Sequence, residues 1–222
     1  FPSVSVGWNV AEESFIKGKV NWLDQLKLRG GYGVLGNQEI SDYQYVSVVT
    51  TGINYPDGKS GLIKGAFPKT FANPDIRWEE TAMTNIGIDL MALNNRLSLT
   101  ADWYVKNTKD ILLNVPIPIS TGGSNDPIRN AGKIQNTGVE FNLGWNDRIS
   151  NDLSYGLSFI GTYNKNEVKE MGSESQAITG GTIHGGTYTT KTIAGYPIGG
   201  FWLIKTDGYF NSVDEVNRHS KD

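Results

Sequence analysis

The chain has 222 residues, 38% of them hydrophobic and 19% charged, with 27 glycines, 11% aromatics, no cysteine and a formal net charge of −3. These values exclude disulfides and thiolate metal centres, offer no clustered basic surface for nucleic acid, and argue against a helical bundle. They suit an all-β protein with long polar connections, arranged as one large domain or two small ones.

In chain order, SVSVGWN sets Val4, Val6 and Trp8 against Ser3, Ser5, Gly7 and Asn9, the alternation of a strand with one oily and one wet face. AEESFIKG is expected to make a helical turn. DQLKLRGGYGVLG then alternates Leu26, Leu28, Gly30, Tyr32 and Val34 against Lys27, Arg29, Gly31, Gly33 and Leu35. TAMTNIGIDL sets Ile86, Ile88 and Leu90 against Asn85, Gly87 and Asp89, and a tight turn at Asn94 and Asn95 predicts a hairpin into the next strand. That strand, RLSLTADWYVKNTKDILL, opposes Leu97, Leu99, Ala101, Trp103 and Val105 to Ser98, Thr100, Asp102, Tyr104 and Lys106. TGVEFNLGWN opposes Val139, Phe141, Leu143 and Trp145 to Gly138, Glu140, Asn142 and Gly144. DLSYGLSFIGTYN does the same with Leu153, Tyr155, Leu157, Phe159 and Tyr163.

The opening lacks an initiator Met and a signal peptide and already reads as strand, while the closing SVDEVNRHSKD is a polar run without a terminating feature. Both ends look cut, so a piece of a longer protein is expected. No run approaches the roughly 18 apolar residues of a membrane-spanning helix, a test that is blind to β-barrels.

Connections after Asn9, Leu93 and Asn146 are short to moderate, whereas those after Gly36, Leu113 and Lys165 are long and rich in Gly, Pro, Ser, Thr and Asn. The first long one runs to roughly 40 residues, beyond the usual loop of a compact domain. Two architectures fit alternating strands: a soluble extracellular β-sandwich that binds carbohydrate, with the oily face inside, or an outer-membrane barrel, with that face toward lipid. Short turns at one end and long loops at the other favour the barrel. Trp8 and Trp145 sit on oily faces near short turns, where an aromatic girdle is expected, and Trp103 falls nearer mid-strand.

At NPDIRWEETAMTNIGIDL (Asn73 to Leu90) the chain resembles the SusC/RagA family of TonB-dependent outer-membrane transporters. FPSVSVGW, LKLRGGYGVLGNQEI, YVKNTKDILL, NAGKIQNTGVEF and GYPIGGFWLIKTDGYF agree with it in family order over nearly the whole chain. The resemblance implies a barrel of about 22 strands plugged by an N-terminal domain. It also implies coupling to TonB through a short N-terminal box, a SusD-like surface lipoprotein as partner, and import of glycans or peptides across the outer membrane of a Gram-negative bacterium. No enzymatic chemistry and no cofactor are implied. Residues 1–222 would be part of the barrel domain, with plug, TonB box and final strands absent. About six strands are too few to close a barrel, so an open, curved antiparallel sheet, an incomplete transmembrane β-barrel with long extracellular loops, is expected.

Asp89, Asp102 and Glu140 fall on wet faces, and hydration of a lumen wall explains them better than acid–base chemistry, since no nucleophile is spaced to join them. His184 and His219 stand alone, without metal-ligand spacing. YPDGKSG and TDGYF read as turns rather than calcium loops, and GGYG lacks the helix and Lys of a phosphate loop. Its glycines are expected to permit bending or close approach of a plug. The loop aromatics Tyr43, Tyr45, Tyr55, Tyr188, Tyr196 and Trp202 are the candidate substrate contacts, because a flat ring stacks on the C–H face of a sugar. Phe67, Phe71 and Phe201 share the loops, and Trp78 lies within the family motif and is read as structural.

Overall fold

The computed structural model describes residues 1–219 apart from Ser41, Gln44, Asp57, Lys59, Ser60, residues 116–119 and 121–125, residues 173–176, His184, Gly185 and Asp207. Six long strands form the main sheet: β1 (Ser3–Asn9), β2 (Leu23–Asn37), β5 (Glu79–Ala92), β6 (Leu97–Asn114), β7 (Ile128–Arg148) and β8 (Ser154–Met171). They lie in the order β1-β2-β5-β6-β7-β8, each antiparallel to its neighbour, so β1 and β8 are edges and the sheet is open. A 3₁₀ turn at Val10–Glu12 follows β1.

The segment between β2 and β5 is not a structureless loop. It folds into a two-stranded hairpin, β3 (Val48–Pro56) with β4 (Leu62–Thr70). Beyond β8, β9 (Ile178–Thr182), β10 (Tyr188–Thr192) and β11 (Gly200–Phe201) form a small three-stranded sheet. The closing polar run contains a short helix, α1 (Val213–His219), whose first turn is capped by Ser212 Oγ accepting from the Glu215 amide at 3.3 Å. His184 lies outside the described residues, as does Asp207 of TDGYF.

The predicted hairpin at Asn94 and Asn95 is present, built from three consecutive left-handed residues, Leu93, Asn94 and Asn95, with φ of 61°, 59° and 60°. Its ends are held by Trp22 O, which accepts from the Leu93 amide at 2.8 Å, and by Asp24 Oδ2, which accepts from the Asn95 amide at 2.8 Å.

Register settles which residues share a face. Leu28, Ile88, Ala101 and Phe141 form one row across β2, β5, β6 and β7, and Leu26, Leu90, Leu99, Leu143 and Phe159 form the next. No second layer covers them among the described residues: Leu99 and Phe141 are half-buried by their own sheet, and Phe159 is 61% exposed. Buried apolar side chains amount to Val10, Ala92, Val115, Pro127 and Val168 among the described residues. A sandwich with the oily face inside is therefore not what this chain forms.

The length of the apolar band fits a membrane. On β6 it runs from Leu97 to Val105 and on β8 from Tyr155 to Tyr163, nine residues each, after which the same face turns polar at Asn107 and Lys165. A tilted transmembrane strand needs about 9–11 residues. Beyond the band, β6, β7 and β8 continue toward the long connections, further than hydrophobic alternation alone predicts.

Register bears on the expected aromatic girdle. Trp8 registers through Leu28, Ile88 and Ala101 with Phe141, whereas Trp145 lies four residues nearer the short turns. A tilt of about 40° displaces a line of constant depth by about one residue per strand. At that tilt, four strand-to-strand steps would bring the two indoles to one level. The ends of β1 and β7 step the same way, Asn9 standing in register with Asn142 and β7 continuing to Arg148. Trp8 Nε1 donates to Glu13 Oε1 at 2.8 Å and Trp145 Nε1 to the Tyr155 hydroxyl at 3.3 Å, as rings with one apolar and one wet edge do at an interface.

Candidate functional site

The wet face carries a charged cluster that depends on three strands. Arg29 on β2 donates from Nε to Asp89 Oδ2 on β5 at 2.7 Å and from Nη2 to Asp102 Oδ2 on β6 at 3.0 Å. Gly87 lies between them, and a Cβ there would collide with Asp102 Oδ1 and with the guanidinium. Glu140 stands directly across from Asp102 on β7, exposed to solvent. Asp89 and Asp102, which the sequence reading left as solvation of a wall, are thus ion-paired. Their partner Arg29 was missed, because its meeting with Asp102 requires the register of two strand pairs.

Glycines on this face have a related use. A Cβ at Gly138 would stand 2.5 Å from the Tyr104 ring, and the Tyr104 hydroxyl reaches Asn164 Oδ1 at 3.4 Å across it. Gly31 of GGYG sits beneath the Asn85 side chain in the same manner. The missing side chains let long polar groups lie flat along the wall.

At the long-connection end, the segment leading into β5 is clamped to its neighbours. Asn130 on β7 donates from Nδ2 to Arg77 O at 2.8 Å and Asp110 O at 2.7 Å, while its Oδ1 accepts from the Arg77 amide at 2.8 Å. Asn73 Nδ2 donates to Ile128 O at 2.9 Å, and Glu79 accepts from the Leu112 amide and from Asn37 Nδ2, both at 2.9 Å. NPDIRWEE is therefore a latch, and Trp78 within it stacks on Phe1 with ring centroids 5.8 Å apart.

Beside the latch lies an open cleft of about 430 Å³ lined by Gln38, Ile40, Asp42, Tyr43, Tyr45, Ile76, Arg77, Trp78 and Leu112. The structure brings Tyr43 and Tyr45 together there, with ring centroids 6.3 Å apart. The other candidate aromatics stand elsewhere. Tyr55 packs on Gly65 within the β3–β4 hairpin. Tyr188 is on β10, and Trp202, just past β11, has Lys191 Nζ 4.4 Å from its ring centroid. Tyr196 O accepts from the Val168 amide at 2.9 Å, which ties the small sheet's turn to β8. Phe67 lies on β4, and Phe71 and Phe201 are exposed. Above the band on β8, Lys169 and Lys165 flank Glu167 and hold its carboxyl below the usual carboxylate range. His219 at the end of α1 packs against Phe210 with ring centroids 5.3 Å apart.

Comparison with known proteins agrees with this architecture. The family described as TonB dependent receptor-like, beta-barrel matches residues 1–219. A TonB-dependent receptor of Formosa agariphila is 35% identical over 100% of this chain and 20% of its own length. The TonB-dependent receptor SusC of Bacteroides thetaiotaomicron is 35% identical over 77% of this chain and 17% of its own. Among solved structures, that of the RagAB peptide transporter superposes with a TM-score of 0.71 and 30% identity, covering 88% of this chain and 20% of the solved one. The chain spans about a fifth of the length of the relatives it matches. An open antiparallel sheet with a nine-residue apolar band and a family match from end to end makes this chain a member of the TonB-dependent receptor β-barrel family.

Proposed function

We propose that residues 1–222 are a stretch of barrel wall in a SusC-like TonB-dependent importer of a Gram-negative outer membrane. In this reading, the remaining strands, the plug and the TonB box belong to other parts of a longer protein. The oily face meets lipid, the wet face with Arg29, Asp89, Asp102 and Tyr104 lines the bore around the plug, and the long connections face outward. A SusD-like surface lipoprotein partners the receptor, and the cargo is an oligosaccharide or a peptide. The wall does no covalent chemistry. It supplies a rigid, hydrated surface against which a TonB-driven plug rearranges.

The observation that carries this reading is the two-faced sheet, whose apolar band has membrane dimensions and ends in polar residues on the same face. The SusC likeness supports the TonB-dependent receptor class, and the likeness to RagAB, a peptide transporter, supports import with a peptide among the candidate cargoes. The test is to purify the full-length receptor from native outer membranes, identify co-purifying lipoproteins, and release bound small molecules for mass spectrometry. Recovery of a surface lipoprotein together with oligosaccharides or peptides is the expected result. A receptor found outside the membrane fraction would overturn the proposal.

A further inference from the structure

We propose that the cleft at Arg77 is a subsite for a carboxylate-bearing part of the cargo. This deepens the importer reading and rests on it. Its volume of about 430 Å³ falls within the range of small-molecule sites. Three features give it a chemical preference.

The first is an uncommitted cation. Arg77 is exposed and lines the cleft, and no ion pair joins its guanidinium to Asp42 or to any other carboxylate among the described residues. A guanidinium recognises a carboxylate through two parallel N–H···O bonds, with geometric as well as electrostatic selectivity.

The second is that this cation is held in place. Asn130 grips both the amide and the carbonyl of Arg77, so the backbone beneath the guanidinium has one position before a ligand arrives. Less order is then lost on binding.

The third is the opposing wall. Tyr43 adopts a left-handed backbone, φ 62°, a conformation uncommon for a bulky aromatic, and its ring meets Tyr45. With Ile40, Ile76 and Leu112 these rings form an apolar surface beside the charge, and Asp42 and Gln38 add hydrogen-bond acceptors. The complementary ligand is a carboxylate next to a ring or apolar side chain that also carries hydrogen-bond donors. A peptide C-terminus and an acidic sugar both present that chemistry.

The test uses the full-length receptor with its lipoprotein partner in lipid nanodiscs, titrated with two pairs of probes by calorimetry. One pair is a hexapeptide ending in Tyr with a free or an amidated C-terminus, and the other is a uronic-acid trimer or its neutral glucose counterpart. At least one acidic probe is expected to bind ten times or more tighter than its neutral partner. Arg77→Gln is expected to remove that preference, and Arg77→Lys to keep part of it, with heat-modifiable gel mobility unchanged in both. Which pair responds identifies the source of the carboxylate. Equal binding of acidic and neutral probes, a preference that survives Arg77→Gln, or no binding of either acidic probe would overturn the subsite. A neutral probe that still binds, or is taken up by cells, would leave the importer reading intact, which separates the two failures.

Discussion

Arg29 Nη2 lies 3.0 Å from Asp102 Oδ2 although β2 and β6 are not neighbours, because β5 runs between them and Gly87 is the residue crossed. One guanidinium thereby ties three strands on the wet face. Any side chain at position 87 displaces it. Gly87→Val is expected to destabilise the full-length receptor by about 2 kcal/mol, the usual scale of overpacking. Gly30→Val is the control: a Cβ at Gly30 meets open space on the oily face, and little change is expected there. Reversible unfolding in lipid vesicles, followed by tryptophan fluorescence, measures both. Equal stabilities of the two variants would refute this role for Gly87.

The cluster also fixes an order among charge variants. Asp102→Asn keeps an acceptor for Arg29 and leaves Asp89 paired, so a loss of about 0.5–1 kcal/mol is expected for a partly exposed pair. Arg29→Met leaves two carboxylates facing each other without their shared cation and should lose about 2 kcal/mol, since a stranded charge is worse than a missing bond. Adding Asp89→Asn and Asp102→Asn to Arg29→Met should recover part of that loss. Absence of any recovery in the same unfolding assay would mean that the cluster matters through packing rather than charge.

How much was legible in the sequence depended on where water lies. Between Leu97 and Val105 one face is apolar and the other polar, so alternation is clean and strand, face and hairpin are all readable. Above the band both faces are mostly polar, with Val168 as an isolated buried side chain, and β8 continues through Lys165, Glu167 and Lys169 with no period to mark it. For the same reason β3 and β4, exposed along most of their length, read in the sequence as one long loop. At the candidate site, the aromatics Tyr43 and Tyr45 were visible as types. Arg77 was not, because its importance comes from Asn130, 53 residues away. The Ser212–Glu215 cap of α1 was a local signal in plain view that went unread.

Depth dependence separates a lipid-facing sheet from a covered one. Ala101 lies at the middle of the β6 band and Val105 at its outer end, on the same face. Ala101→Arg removes almost no packing and is expected to cost about 2–4 kcal/mol, while Val105→Arg should cost about 0–1 kcal/mol. Folding titrations in vesicles give both values. Similar penalties at the two depths would contradict lipid contact.

The latch predicts a local effect without loss of the barrel. Asn130→Ala removes two donors and an acceptor that hold Arg77 and Asp110, each bond contributing about 1 kcal/mol. Amide exchange across residues 73–78 is expected to accelerate at least tenfold, with exchange in the hairpin between β5 and β6 unchanged. Asn130→Asp keeps the acceptor for the Arg77 amide but places a carboxylate against two carbonyls, so its exchange should be at least as fast. Unaltered exchange in both variants would show that Asn130 is not the clamp.

The β5–β6 turn contains a position where the sequence is not at its stability optimum. Asn94 and Asn95 tolerate a left-handed backbone through their short polar side chains, but Leu93 at φ 61° carries a γ-branched side chain that gains little there, being 40% exposed. Leu93→Gly removes the steric cost at that residue. It also frees the unfolded chain, which offsets part of the gain. The steric term is about 1–2 kcal/mol and the entropic one about 0.5–1 kcal/mol, so a net stabilisation of about 0.5–1 kcal/mol is expected. Leu93→Val, whose branch lies at Cβ itself, should move stability the other way. Because the Leu93 amide bond to Trp22 O survives both changes, the opposite signs isolate backbone strain from hydrogen bonding. Stabilities that fall together in the two variants would instead assign Leu93 a packing role at the interface.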